Sequence, residues 1–314
     1  MRIGIDLGGT NIVVGIVTNE GEIVIKKSTP TLASRGVTPI IEDMVNLIHK
    51  TLEVSGNSME DIELIGIGVP GLVDYNSGVI KECVNLGWKD IDICKILEEK
   101  TGKKILIEND ANAAAGGEFL FGIMKNNVNS VFLTLGTGIG GGIILNGKLH
   151  RGKNGSAAEI GHMVIGDNFY DCACGNNGCF ETFASATAII KHAKKLINEN
   201  DQDTLMLKKI NNLDEIDAKI VFDCAKQGDK LANLVVERFV KYFAIGICNI
   251  VNVLDIKMIG IGGGVSAAGE FFMELLVSDI KKYKLFKDIP VCNIKIATLG
   301  NDAGIIGAAM LDKL

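Results

Sequence analysis

Residues Ile3–Val17 read IGIDLGGTNIVVGIV, and residues Val131–Leu145 read VFLTLGTGIGGGIIL. In each, a run of β-branched residues enters a glycine turn and a second such run leaves it, the pattern of a hairpin closed on glycine. Ile3–Ile5 and Asn11–Val17 flank the first turn, Asp6-Leu7-Gly8-Gly9-Thr10; Val131–Leu135 and Ile143–Leu145 flank the second, Gly136–Gly142. The two units stand roughly 130 residues apart, and such internal similarity predicts a duplicated α/β fold of two related domains with a cleft between them.

Working outward, Glu22–Lys26 reads as a third strand. Ile40–Val54 carries apolar residues at Ile41, Met44, Val45, Ile48 and Leu52, the spacing of an amphipathic helix. Leu64–Val69 and Ile105–Ile107 read as buried strands, and Ala111–Phe121 as an alanine-rich helix. The second half repeats the sequence of elements, with helices over 183–199, 217–227, 230–254 and 270–283, and strands over 257–261 and 294–297. A domain boundary is expected within 116–125, giving an N-terminal domain over 1–118 and a C-terminal one over 119–302. The last helix, 303–314, is expected to pack back on the first domain.

The 314 residues are 47% hydrophobic with four prolines, enough to build a sizeable core. Glycine numbers 38, about 12% against the usual ~7%, and clusters in turns between apolar runs, so it marks tight backbone geometry. A net charge of −6 offers no electrostatic footprint for nucleic acid. Met1-Arg2 leads straight into a strand with no export signal, and the most apolar helical stretch, Tyr242–Leu254, is too short for a bilayer. A cytoplasmic, membrane-free protein with reduced thiols is expected.

Three of the eight cysteines, Cys172, Cys174 and Cys179, crowd into a Cys-x-Cys-x4-Cys run with His162 ten residues upstream. Three thiolates and an imidazole form the ligand set of a closed tetrahedral Zn2+ site. The plainer alternative is a glycine-rich loop with buried, reduced cysteines. The glycine turns lack the G-x-G-x-x-G and G-K-[ST] signatures, but backbone N–H groups in such turns form anion-binding nests. Gly8, Gly9, Thr10 and Asn11 could wrap one side of a polyphosphate and Gly136, Thr137 and Gly138 the other, with Asp6 holding Mg2+ through water. Either turn alone could be an ordinary hairpin; the two together with Gly262-Gly263-Gly264 after a strand favour a nucleotide. Asp110, between a strand and a helix, could be an N-cap or the base for a substrate hydroxyl.

Together these motifs resemble the ROK sugar kinases of the actin/hexokinase-like (ribonuclease H-like) superfamily. The matching residues are Asp6–Asn11, Gly68-Val69-Pro70-Gly71, Glu108–Asn112, Gly136–Gly140, Glu159-Ile160-Gly161-His162 and the run Cys172–Glu181. Glu159–His162 looks most like the bacterial ATP-dependent glucokinases. The resemblance implies ATP, Mg2+ and structural Zn2+ as cofactors, glucose as substrate, and Asp110 as base for its 6-hydroxyl. Fructose, mannose, N-acetylglucosamine and N-acetylmannosamine are the alternative hexoses. It further implies that Asn109, Glu159, His162 and Glu181 bind sugar hydroxyls, that Gly71 and Asn85 line the pocket, and that His162 serves both zinc and sugar. Gly262–Gly264 would lie near the adenosine. Relatives are commonly dimers. Family repressors carry a DNA-reading module ahead of the first phosphate turn; with that turn starting at Asp6, no such module is expected here, and a non-catalytic sugar sensor would not need Asp110. Ala158 stands where relatives often carry glycine, and little effect is expected of it.

Overall fold

A computed structural model describes residues 1–199 and 203–314. The opening hairpin is β1 (Arg2–Leu7) and β2 (Asn11–Val17), followed by β3 (Ile23–Pro30), helix α1 (Val37–Ser55) and β4 (Ile65–Val69). A small meander comes next, β5 (Leu72–Asp74), β6 (Val79–Cys83) and β7 (Trp88–Ile91), then α2 (Ile93–Thr101), β8 (Ile105–Asn109) and α3 (Asp110–Leu120). The main sheet has the order β3-β2-β1-β4-β8. In it β1 is antiparallel to β2 and parallel to β4, which is parallel to β8. β4 is buried throughout and β1 everywhere but Asp6, so both are apolar runs covered on two faces. Edge strand β3 alternates half-buried and exposed residues and turns one face to solvent.

The second half repeats the hairpin as β9 (Ser130–Leu135) and β10 (Ile139–Leu145), with β11 (Lys148–Leu149) beside it. Helices α4 (Glu181–Ala184), α5 (Ala186–Glu199), α6 (Ala218–Lys226) and α7 (Lys230–Leu254) precede β12 (Met258–Gly262), α8 (Glu270–Tyr283), β13 (Asn293–Ile296) and α9 (Ala303–Ala309). The sheet order is β11-β10-β9-β12-β13. Counted within its own half this is the strand order of the first sheet, so the doubled hairpin in the sequence marks a doubled sheet. No helix among the described residues is long and apolar enough to cross a membrane.

Three details depart from the sequence reading. β10 starts at Ile139, so Gly140–Gly142 belong to the strand and not to the turn. The helix expected over 183–199 is two helices broken at Ser185, whose Oγ accepts the Ala188 N–H at 3.1 Å as an N-cap does. The β5–β7 meander and α2 were not anticipated.

By packing, the chain forms two units, 1–132 with 141–158 and 297–314, and 133–140 with 159–296. This differs from a single boundary at 118/119, because the far end of the β9–β10 hairpin packs on α3: a Cβ on Gly142 would stand 2.3 Å from that of Ala115. Within the first unit α9 lies against α3, β1 and β4. Its approach is close enough that a Cβ on Gly66 would fall 1.7 Å from the Ala308 carbonyl oxygen, and one on Gly307 equally near that of Ala113. Buried Arg2 closes the same unit by pairing with Asp312.

Candidate active site

In the first unit the turn after β1 is closed by the Gly8 N–H donating to the Asn11 carbonyl at 2.9 Å. Thr31 fixes it from the next loop: its Oγ1 donates to the Gly8 carbonyl at 2.7 Å and its N–H to that of Thr10 at 2.8 Å. Gly9, Thr10 and Asn11 are left exposed at the tip, and the Cβ of Asn85 lies 3.5 Å from where a Cβ on Gly9 would stand. The parallel register of β4 and β8 pairs Gly68 with Glu108 and Val69 with Asn109, which brings Asp110 beside the Gly68 backbone.

At that junction Asn109 is the N-cap of α3: its side-chain oxygen accepts the N–H of Ala111 at 2.9 Å and of Asn112 at 3.1 Å. Its Nδ2 donates to the Gly71 carbonyl at 3.2 Å. The cap is thus made by the neighbour, and Asp110 becomes the first helical residue. Burial raises the Asp110 carboxyl. Burial, and then the charge of Asp110, push Asp6 up to about 6. Two half-buried carboxylates that repel one another suit a divalent cation, whose charge would invert the local balance.

Glu108, just before the cap, is 2% exposed. One of its oxygens accepts the Asn109 N–H at 3.0 Å and Asn112 Nδ2 at 3.1 Å; the other pairs with Arg151. Asn112 Oδ1 is left buried with no partner among the described residues, a cost of roughly 1–3 kcal/mol accepted to keep its amide on Glu108. Sequence reading missed Glu108, Asn112 and Arg151 as site residues. A lone carboxylate inside the apolar strand ILIEN was the available signal.

In the second unit the donor atoms of His162, Cys172, Cys174 and Cys179 lie within 4.8 Å of one another, and no other such metal-binding group occurs among the described residues. Cys174 and Cys179 sulfurs are 3.5 Å apart, and His162 Nδ1 is 3.6 Å from Cys172 Sγ. Four ligands at tetrahedral bond lengths of about 2.0–2.3 Å from Zn2+ stand roughly 3.5–3.8 Å apart. The cluster therefore fits that ion. The Asn176 backbone N–H, acting first among several neighbours, draws the Cys174 thiol down to about 7 and favours the thiolate a metal needs.

The other ring nitrogen of His162, Nε2, lies 4.0 Å from exposed Glu159. Glu181 is tied inward instead. One oxygen accepts the Cys172 thiol at 2.9 Å, and the other accepts the Ile139 N–H at 3.4 Å. It sits so near the second turn that a Cβ on Gly138 would be 2.3 Å from its oxygen. The turn itself is closed by the Gly136 N–H on the Gly138 carbonyl at 3.0 Å, and Gly263 packs on the Leu135 backbone just before it. The metal cluster, Glu181, Gly136–Gly138 and the Gly262–Gly264 turn thus form one connected half-site. Ala158, immediately before Glu159, has φ +69°. There glycine is strain-free and alanine costs about 1 kcal/mol, so the departure noted in the sequence has a price.

A model of the ROK family matches residues 2–313. The chain belongs to the ROK family. A glucokinase of Halalkalibacterium halodurans is 39% identical over 312 residues, spanning 99% of this chain and 94% of its own. The crystal structure of a ROK family glucokinase from Streptomyces griseus in complex with glucose and AMPPNP gives a TM-score of 0.85 at 32% identity, covering 99% of this chain and 98% of that one. The ROK family also holds regulators: a xylose repressor of Caldicellulosiruptor bescii is 32% identical over 97% of this chain and 76% of its own length. ROK structures have the actin/hexokinase-like fold, so the duplicated α/β architecture is that of this superfamily.

Proposed function

We propose that this protein is an ATP- and Mg2+-dependent hexose kinase that phosphorylates the 6-hydroxyl of glucose. The observation that carries the reading is the β8–α3 junction, where Asn109 makes the helix cap and leaves a half-buried Asp110 with a raised carboxyl pKa. A raised pKa makes a stronger base, suited to taking a hydroxyl proton near neutral pH. The glucokinase names among the relatives supply the substrate class.

In this mechanism the 6-hydroxyl proton passes to Asp110, the oxygen bonds to the γ-phosphorus, and the bond from that phosphorus to the β–γ bridging oxygen breaks to release ADP. Gly9, Thr10 and Asn11 in one half-site and Gly136, Thr137 and Gly138 in the other offer backbone and side-chain donors to the phosphates. Gly262–Gly264 would lie near the adenosine. Asp6 would hold Mg2+, which when bound neutralises phosphate charge. His162, Cys172, Cys174 and Cys179 would hold Zn2+ in a closed, structural site with no position for activated water. On this reading Glu159, His162 and Asn109 would bind sugar hydroxyls, and Gly71 and Asn85 would line the sugar pocket. Glu181 acts mainly by joining the metal loop to the phosphate turn. The eight reduced cysteines suit a reducing, cytoplasmic setting.

Incubating the protein with ATP, Mg2+ and each of glucose, fructose, mannose, N-acetylglucosamine and N-acetylmannosamine tests the reading. ADP release is expected with glucose foremost, and Asp110→Asn should lose at least about 100-fold in kcat while still binding sugar. If no sugar elicits ADP release, the kinase reading fails and a sugar-sensing role, as in the family's repressors, takes its place.

A further inference from the structure

The buried ion pair behind the β8–α3 turn has no part in the chemistry just described, yet it grips the main chain just before Asp110 and a side chain just after it. We infer that Arg151 and Glu108 are positioning residues that set the aim of the Asp110 carboxylate; the inference rests on the kinase reading above. One Glu108 oxygen holds the backbone N–H of Asn109, the residue before the base, and the side-chain amide of Asn112, two residues after it. A single carboxylate oxygen thus fixes the turn that carries Asp110. Its partner oxygen faces Arg151, the cation that compensates a carboxylate only 2% exposed inside an apolar strand.

Arg151 is itself rooted. Its guanidinium carbon lies 4.7 Å from the centre of the Tyr75 ring, and its carbonyl accepts the Ala157 N–H at 3.2 Å. The intervening loop is pressed on β5, where a Cβ on Gly155 would lie 2.6 Å from the Val73 carbonyl oxygen. Nothing in this arrangement requires Arg151 or Glu108 to touch a substrate. Without Arg151, Glu108 is an uncompensated carboxylate in an apolar strand and is drawn outward to water, which takes away the acceptor that the Asn109 and Asn112 donors share. The helix end then loosens, and the base loses its line to the hydroxyl without any loss of the groups that bind sugar or nucleotide.

The test is steady-state kinetics on Arg151→Met, Arg151→Lys and Glu108→Gln, at a temperature well below each variant's unfolding midpoint. Arg151→Met should lower kcat by about 10- to 100-fold, the scale set by small misalignment of a reacting group. Its KM for glucose and for ATP should stay within about threefold of the parent values, since uniform binding is untouched. Arg151→Lys, which restores the charge but not the planar fork, should recover part of the lost kcat. Adding Glu108→Gln to Arg151→Met should cost less than the separate losses combined, because the uncompensated charge is gone. A normal kcat in folded Arg151→Met, whatever its midpoint, reduces the pair to a stability device and overturns the inference. So does a KM rise at constant kcat, which would make Arg151 a substrate ligand. If Arg151→Met does not fold, Glu108→Gln and Arg151→Lys decide by the same split between kcat and KM. An unmodified protein without hexose turnover would instead strike the kinase reading, and the positioning role with it.

Discussion

Asp6 keeps its proton at a pH where an exposed aspartate has lost it, because burial and the charge of Asp110 raise its carboxyl to about 6. The unfolded value is about 3.9, so the folded state binds the proton more tightly. Its stabilising contribution is complete below about pH 3.9 and is lost as pH rises through 6, a difference of roughly 3 kcal/mol. Asp6→Asn, which removes the titration, should therefore melt higher than the parent at pH 7–8 without ligand and lose that advantage near pH 4. Thermal melts across this range read it out; a difference that does not change with pH would show that Asp6 is not the titrating group. The neighbouring ambiguity at Asp110 could not be resolved from sequence, because Asn109 and Asp110 are both residue types that cap helices. Only hydrogen-bond geometry assigns the cap to Asn109. Ala158 is similar: a residue name carries no φ, and its cost emerges once the backbone is seen to turn left-handed there.

Among the elements, the loop from Glu159 to Glu181 is held by very little backbone order. A three-residue turn at Ile160–His162 and the isolated bridges Val164–Cys179 and Asp171–Asn177 are its regular features among the described residues. A metal at the cluster would do for this loop what a hydrophobic core does elsewhere, with roughly 10–16 kcal/mol of binding free energy in small zinc peptides to draw on. The purified protein should carry one zinc per chain by elemental analysis. Stripping it with a chelator should lower the unfolding midpoint and raise glucose KM by about tenfold or more, equivalent to some 1.4 kcal/mol of lost preorganisation. Zinc-free protein from a zinc-replete preparation, or stripped protein that binds glucose as before, would remove the metal from the account. The ligand set was legible because four donors of the right kind crowd one short segment. The anchoring of Glu181 was not, since its link to Ile139 joins positions 42 residues apart and no spacing rule reports it.

At the scale of the whole molecule, the doubled hairpin announced the doubled sheet because glycine turns between apolar runs are local signals. The β5–β7 meander escaped for the converse reason: its strands are only three to five residues long, too short for a period to show. Least visible was the completion of the first unit by the end of the chain. That unit gains α9 only from residue 303, so its packing against α3 and β1 has to wait until those residues have been synthesised. What admits α9 is the absence of side chains on the surfaces that meet: Gly66 against the Ala308 carbonyl, and Gly307 against that of Ala113. A methyl group at either place meets backbone, not a side chain that could swing away, so the helix itself has to shift. Gly66→Ala and Gly307→Ala should each cost more than about 3 kcal/mol and lower the unfolding midpoint by about 5 °C or more. The two losses should add up to less than their sum when combined, because one displaced helix answers both clashes. Differential scanning calorimetry of the two variants and the double variant measures this, and midpoints within about 2 °C of the parent would mean that α9 is not seated on β4 and α3 this closely.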